Sequence, residues 1–267
     1  MLEFVPFKEV SESVRTAIWN SGFSDYLVPI NMTAEALNNR LTSLNLSEQD
    51  SFVVFENEVP KGITLFGFKK LADKKIAWVG GLAVAPEFRK EGIGVAMLNY
   101  CEKIGEQLGI DLLTLEVIVG NDKALNLYQN QGYGIARKVS FLKGELGNHL
   151  HGESKLTLEQ SESLTDELDL TIPWQNRLFH GYEGYKIFDG EKEIGQVVCQ
   201  KQGDVLSIFQ LKLPKEMISS FLATCATDLS VGKIVGVNLL SSSEEVYGLK
   251  EQGVSVVLDQ YQLEKAL

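Results

Sequence analysis

Arg89-Lys90-Glu91-Gly92-Ile93-Gly94 separates two stretches of opposite periodicity. Before it, residues 77–86 are apolar and closed by proline, the pattern of a buried strand. After it, residues 95–108 carry Ala96, Leu98, Ile104 and Leu108 at helical spacing, so the loop opens onto a helix N-terminus. Glycines at 92 and 94 let the backbone approach a ligand and adopt conformations that a side chain forbids. Several amide N–H groups can then converge on an anion, and the unsatisfied first-turn donors and the helix dipole favour negative charge at the same place. A plain tight turn would use the same glycines. The Gly-Lys-Ser/Thr ending of a P-loop is absent, and no third glycine follows at the dinucleotide spacing.

The next segment narrows the choice. Residues 112–119 form a second apolar strand pattern, followed by Gly120-Asn121 and a helix-like run over 122–131 that ends at Gly132-Tyr133. Strand, Arg89-x-x-Gly92-x-Gly94, helix, then Leu115-Glu116-Val117, Asn121-x-x-Ala124 and Leu127-Tyr128-x-x-x-Gly132-Tyr133 resembles the GCN5-related N-acetyltransferase (GNAT) superfamily over residues 1–145. The resemblance implies acetyl-CoA as co-substrate, its pyrophosphate held by backbone amides of Arg89, Lys90, Glu91, Gly92, Ile93, Gly94 and Val95. It also implies a splayed strand at Leu82, Ala83 and Val84 that pairs with the pantetheine arm, with Asn121, Ala124 and Tyr128 lining the same site. Arg89 is a candidate to reach phosphate oxygens.

Acyl transfer to an amine needs a route for the amine's proton and a donor for the departing thiolate. By resemblance Tyr128 is the general acid; a core tyrosine ahead of a helix-ending glycine is the other reading. Asn121 suits an N-cap, a contact to the pantetheine or acceptor, or both. Glu116 is the candidate base. It sits in an otherwise apolar strand, where a carboxylate needs a partner, water or a raised pKa. In the branch of the family that acetylates N-termini of ribosomal proteins, a glutamate twelve residues before the tyrosine is the base, the spacing of Glu116 to Tyr128. Ile118 departs from that branch, which often has arginine there, so the branch's substrate does not carry over. A carboxylate paired structurally or bridging to water is the alternative for Glu116.

At 267 residues the chain exceeds one such domain of roughly 150 residues, which predicts a second. No apolar run approaches the length of a membrane span, and Met1-Leu2-Glu3-Phe4 lacks the basic-then-apolar order of a signal peptide, so a cytoplasmic protein without membrane partner is expected. Cys101, Cys199 and Cys225 have no zinc spacing, and an odd count argues against a disulfide framework; they are expected to be buried core residues. His149, His151 and His180 give no metal pattern, and no metal is expected. Net charge is −11: residues 1–145 carry 15 basic against 18 acidic side chains, residues 146–267 carry 10 against 18. No basic stripe with interleaved aromatics is present, which disfavours nucleic acid.

Residues 144–169 are rich in Glu, Ser, Gly and Leu and read as a polar linker, assigned to 146–169. Beyond it the chain repeats itself. Phe55-Glu56-Asn57-Glu58 with Gly62 is echoed by Phe188-Asp189-Gly190-Glu191 with Gly195, and Gln131-Gly132 by Gln252-Gly253. The strand ending at Pro86 corresponds to 206–214, and a helix ending near Cys101 to one ending near Cys225, with a gap of 15 residues in the first copy and 11 in the second. The shortfall lies where Arg89 to Gly94 would be. Asn121, Ala124 and Tyr128 become Ser242, Glu245 and Leu249. The expected architecture is therefore α/β (α+β) with two GNAT-like domains, each a mixed sheet flanked by helices: an active one over 1–145 and a smaller, degenerate one over 170–267 without the pyrophosphate loop. Trp19, Trp174, Tyr182 and Tyr185 are candidates for a contact between copies, or simple core residues.

Two N-terminal helices, 11–21 and 33–46, are predicted, the second capped by Thr33. By resemblance they flank the acceptor, which singles out Phe23, Asp25, Tyr26 and Asn31 for its recognition. The function expected is acetyl transfer from acetyl-CoA to a primary amine, small molecule or peptide, by a monomer or homodimer. The rival readings are a non-catalytic acyl-CoA-binding sensor or interaction protein, and a structural protein whose loop binds nothing.

Overall fold

The computed structural model describes residues 1–28, 30–147, 156–166 and 169–267; His149 and His151 lie outside them. In chain order the elements are β1 (Glu3–Pro6), α1 (Glu12–Gly22), α2 (Ala34–Ser43), β2 (Phe52–Glu56), β3 (Val59–Leu71), β4 (Lys74–Val84), α3 (Ile93–Leu108), β5 (Leu112–Ile118), α4 (Asp122–Asn130) and β6 (Gly134–Glu145). They continue with β7 (Leu156–Gln160), β8 (Glu183–Asp189), β9 (Lys192–Gln202), β10 (Val205–Lys212), α5 (Ile218–Thr227), β11 (Lys233–Leu240), α6 (Glu244–Glu251) and β12 (Ser255–Ala266). The α/β expectation holds. The chain divides into one unit of Met1–Ala136 plus Gln262–Leu267 and a second of Arg137–Tyr261.

In the first unit the strand order is β1-β2-β3-β4-β5, followed by the end of β12. A two-residue turn with positive φ at Asn57 and Glu58 joins β2 to β3, the geometry that matches strand twist in a hairpin. β4 is antiparallel to β3 and parallel to β5. Helix α1 lies close on β4: a Cβ on Gly22 would fall 2.7 Å from the Ala83 Cβ, and one on Gly81 would strike the Trp19 ring. Met97 of α3 packs on the other side at Gly62. Ser11 and Thr33 cap α1 and α2 by accepting from Val14 and Ala36 N–H.

The second unit runs β12-β6-β11-β10-β9-β8-β7 around a core that includes Leu142, Ile187, Ile208, Phe221 and Leu249. Its internal register repeats the first. In the β2–β3 hairpin Val54 faces Gly62 and Phe55 faces Pro60; in β8–β9 Ile187 faces Gly195 and Phe188 faces Glu193. The two central strands each carry a bulge. Leu65 faces Gly81 and Phe66 faces Val79, leaving Gly80 extra; Val198 faces Gln210 and Cys199 faces Ile208, leaving Phe209 extra. Helices α4 and α6 close alike: Gly132 and Gly253 take positive φ, and Tyr133 and Val254 donate back to Tyr128 and Leu249.

Three expectations change. The supposed linker contains β7, paired with β8; Leu156 is buried and Leu158 packs beside it while Thr157 and Glu159 face out, an alternation hidden by polar neighbours. The helix after the glycine loop runs through Leu108 to a left-handed cap at Gly109, as the 95–108 spacing predicts, so the mark near Cys101 used to align the copies lies inside it and not at its end. At the start of α6 the cap is Ser243, accepting from Val246, so it and not Ser242 stands where Asn121 caps α4. All three cysteines are buried, as expected.

The last residues of the chain are built into the first unit. Leu267 donates to Asp111 O, and Lys265 reaches Gln131 O at 2.8 Å and Glu102 at 2.7 Å. Leu263 is fully buried. Leu263→Ala should therefore cost about 2–5 kcal/mol in denaturant unfolding; a loss below about 0.5 kcal/mol, the size of a neutral surface change, would show that this strand end is not part of a packed core.

Candidate active site

The pairing of β4 with β5 stops early. Ile76, Ala77 and Trp78 face Leu112, Leu113 and Thr114, and among the described residues the register goes no further. β4 continues through Leu82, Ala83 and Val84, whose partners Thr64, Ile63 and Gly62 lie on β3, so the side toward β5 is left without a ladder. The bulge at Gly80 sits at the start of this divergence, where an extra residue bends a strand and sharpens its twist. The three residues expected at the splay are there. Ala83 is buried, whereas Leu82 and Val84 are half-buried.

Past β4 the chain makes a short 3-10 turn, Pro86–Phe88, and enters the glycine loop. Lys90 and Gly92 both take positive φ (68° and 77°), a curl that turns successive N–H groups to one side. Gly92 is the N-cap of α3 and offers no side-chain acceptor; Ala96 is the first residue to bond back, to Gly92 O. The first-turn amides therefore have neither cap nor in-helix partner. A Cβ on Gly92 would meet nothing within 4 Å, so glycine is required there by φ and not by crowding. Ile93 is buried and anchors the helix. Phosphate oxygens suit such a cradle of backbone donors.

Arg89 is not aimed at that cradle. Its guanidinium grips Asp25 in a two-pronged pair (2.6 and 2.8 Å) and donates to Val84 O and Gly22 O, both at 3.0 Å. Two residues expected to recognise different partners thus hold each other, fastening the loop after α1 to the end of β4. The rest of that loop is held by Trp19, which donates to Ile30 O at 3.0 Å, and by Asn20, which bonds both N–H and C=O of Met32. Asn31, between these anchors, is exposed. Phe23 is buried against the Trp19 and Tyr26 rings.

Tyr26 leads to the catalytic candidates. It hydrogen-bonds the Asn121 side chain, which opposes the upward effect of burial on its hydroxyl. Asn121 Oδ1 also accepts from Ala124 N–H at 3.2 Å, so the residue caps α4 while facing Tyr26. Two turns on, Tyr128 is buried; burial, then the neighbouring Tyr26, push its hydroxyl well above the ordinary tyrosine range. It stays a protonated phenol at any physiological pH. On the facing strand Glu116 accepts from the Trp78 indole N–H at 2.7 Å.

Arg40 was not foreseen. It lies on α2 with its guanidinium 5.9 Å from each of the Trp19 and Trp78 rings and donates to Gly80 O at 2.8 Å. The available signal was its spacing, since Leu37, Arg40 and Leu41 share one helical face and both leucines are buried. Its partners come from α1 and β4, which a local reading does not join.

The second unit lacks this equipment. Its 3-10 turn Lys215–Met217 passes straight into α5 at Ile218, with no counterpart of Arg89, Lys90, Glu91 and Gly92. Phe209 fills the bulge position and stacks on Tyr182 at 3.6 Å. Asn176 donates to Phe209 O at 2.5 Å and Val237 O at 2.6 Å, tying β10 to β11 where they would separate. Trp174 is buried with Phe179 and His180 against it. Among the described residues no cluster with metal-ligand character occurs, and no helix is long and apolar enough to cross a membrane.

Residues 16–133 match the family described as Acetyltransferase (GNAT) family. Solved structures share the fold over the full length. A GCN5-related N-acetyltransferase from Sphaerobacter thermophilus superposes with a TM-score of 0.69 at 11% identity, covering 99% of this chain and 95% of that one. A tandem GNAT protein from the clavulanic acid biosynthesis pathway gives 0.63 at 13%, covering 100% and 98%. A putative acetyltransferase from Pyrococcus horikoshii gives 0.65 at 13%, covering 100% and 89%. The fold over the full length is thus that of these GNAT structures, a tandem protein among them.

The Arg89–Asp25 pair titrates in a definite direction. Hydrogen bonds and charge from Arg89 hold the Asp25 carboxyl below the usual carboxylate range. Its contribution is present above the ordinary Asp pKa, near 3.9, and is lost as pH falls through the lower folded value. Side-chain exposures of 37% and 60% keep it small, under about 1 kcal/mol. Asp25→Asn should melt slightly below wild type from pH 5 to 7, and the gap should close under acid; a gap that widens at low pH would contradict the pairing.

Proposed function

We propose that the first unit transfers an acetyl group from acetyl-CoA to a primary amine, with the amine attacking directly. The observation that carries this reading is the conjunction of an uncapped, glycine-led helix N-terminus with a protonated, buried tyrosine and a carboxylate across one strand divergence. Backbone amides of residues 90–95 would hold the pyrophosphate, and the open side of Leu82, Ala83 and Val84 the pantetheine arm. Acetyl-CoA supplies the activated acyl group.

Glu116 takes the proton that the attacking amine must lose, directly or through one water. Tyr128 gives its proton to the sulfur as the C–S bond breaks. The phenol carries its proton near neutrality, and the dry site that weakens it as an acid also raises the basicity of the departing thiolate, so the transfer stays feasible. Asn121 sets the start of α4 and, through Tyr26, couples the acceptor-side loop to the acid. Phe23, Tyr26 and Asn31 would form part of the acceptor wall, while Asp25 and Arg89 shape it through their mutual pair. The acceptor is a small-molecule or peptide amine.

We further infer that the second unit is a degenerate GNAT copy with no acyl-CoA site. The missing loop, the phenylalanine at the bulge and the Asn176 bridge support this. Calorimetric titration should find one acetyl-CoA site per chain, weakened by at least tenfold in Gly94→Glu, which puts a carboxylate where the phosphates belong. Two sites would refute the degenerate assignment, and none would refute the enzyme. Given turnover on an amine, Tyr128→Phe should lower kcat by about 10²–10⁴ with acetyl-CoA affinity retained; an unaltered kcat from pH 6 to 9 would remove Tyr128 from the mechanism.

A further inference from the structure

We propose that Arg40 is a positioning residue that ties the diverging strands together and holds Glu116 in its carboxylate form. Its place in turnover rests on the acetyltransferase reading; the tie itself does not. Gly80 is the residue left over by the β3–β4 bulge, and its carbonyl accepts from Arg40 at 2.8 Å. The guanidinium is lodged beside Trp78, whose indole N–H binds Glu116 at 2.7 Å. Arg40 Nε is buried and has no acceptor among the described residues, so its charge is poorly compensated by hydrogen bonds. Burial lowers the guanidinium's affinity for its proton, and the Glu116 charge opposes that fall. The attraction is mutual, so Arg40 favours ionised Glu116. Arg40 from α2 and Trp78 from β4, which does not titrate, are both partners of Glu116.

The second unit shows what this rung is for. There Asn176 spans the same two strands, from the bulge carbonyl of Phe209 to the carbonyl of Val237. Val237 stands where Glu116 stands in the first unit, because Thr114 and Val235 occupy matching register positions opposite Trp78 and Ser207. Both units bind the bulge carbonyl through a side chain from outside the sheet. The amide in one closes the rung with neutral groups; the guanidinium in the other leaves a charged acid beside it. A general base needs to be ionised before the amine arrives, and an adjacent buried cation secures that at the expense of some basicity.

The test is carbon-13 NMR of protein labelled at glutamate carboxyls, with the Glu116 signal identified by its disappearance in Glu116→Gln. In Arg40→Gln the Glu116 midpoint should move to higher pH, and in Arg40→Lys, which keeps the charge, it should return toward wild type. Arg40→Met is the second neutral variant, since replacing a buried charge by an apolar side chain of similar volume is often tolerated. In turnover, the acid limb of kcat/KM should move upward with the NMR midpoint. An unchanged Glu116 midpoint in whichever neutral variant keeps the wild-type melting transition would overturn the proposal. A wild-type chain that shows the coupling but acetylates no amine would overturn the enzyme reading and leave the tie established.

Discussion

The early parting of β4 from β5 is the constraint on which the rest of the first unit depends. Parallel strands normally satisfy their backbone groups along a continuous ladder, and ending the ladder after three residue pairs leaves N–H and C=O groups in need of partners. The bulge at Gly80 produces the divergence, and Arg40 takes up the carbonyl that the bulge displaces. Helices α3 and α4 then begin just past the ends of the separated strands. The uncapped N-terminal donors of α3 and the Asn121-capped start of α4 thus both lie just past the separated strand ends.

Side chains around this cleft are engaged mostly in holding its frame. Arg89, which stands at the head of the loop, spends its donors on Asp25, Val84 and Gly22. On the proposed reading, grip on an anion is left to backbone amides, which lose no side-chain entropy on binding. Asn121 likewise serves the backbone through Ala124 and the site through Tyr26. Such double use explains why few polar groups are needed to build the site, and why replacing any one of them would be felt in both geometry and chemistry.

The second unit separates what a fold requires from what a reaction requires. Hairpin turn, bulge positions, parallel register and helix C-cap all recur, because each is fixed by backbone hydrogen bonds that many sequences can satisfy. The glycine loop depends on particular residues at particular φ values and has no counterpart between the 3-10 turn Lys215–Met217 and α5. Phe209 and Tyr182 stack at the second unit's bulge, and Asn176 bonds the two strands beside it.

The amino-acid sequence by itself determined the loop, the two helices that follow it, the caps at Thr33 and Asn121, and the repeat of 55–62 in 188–195, because each is encoded within a short window by glycine, cap chemistry or periodicity. It also marked Glu116 as a carboxylate in an apolar strand, while Tyr128 was singled out only by resemblance. Strand β7 escaped because its alternation is short and lies among polar residues. Only the tertiary structure decided that Arg89 turns to Asp25, that Arg40 stands between Trp19, Trp78 and the bulge, and that the final residues of the chain complete the first unit. Those outcomes join segments distant in sequence, and which charge meets which is settled by packing geometry that no local pattern contains.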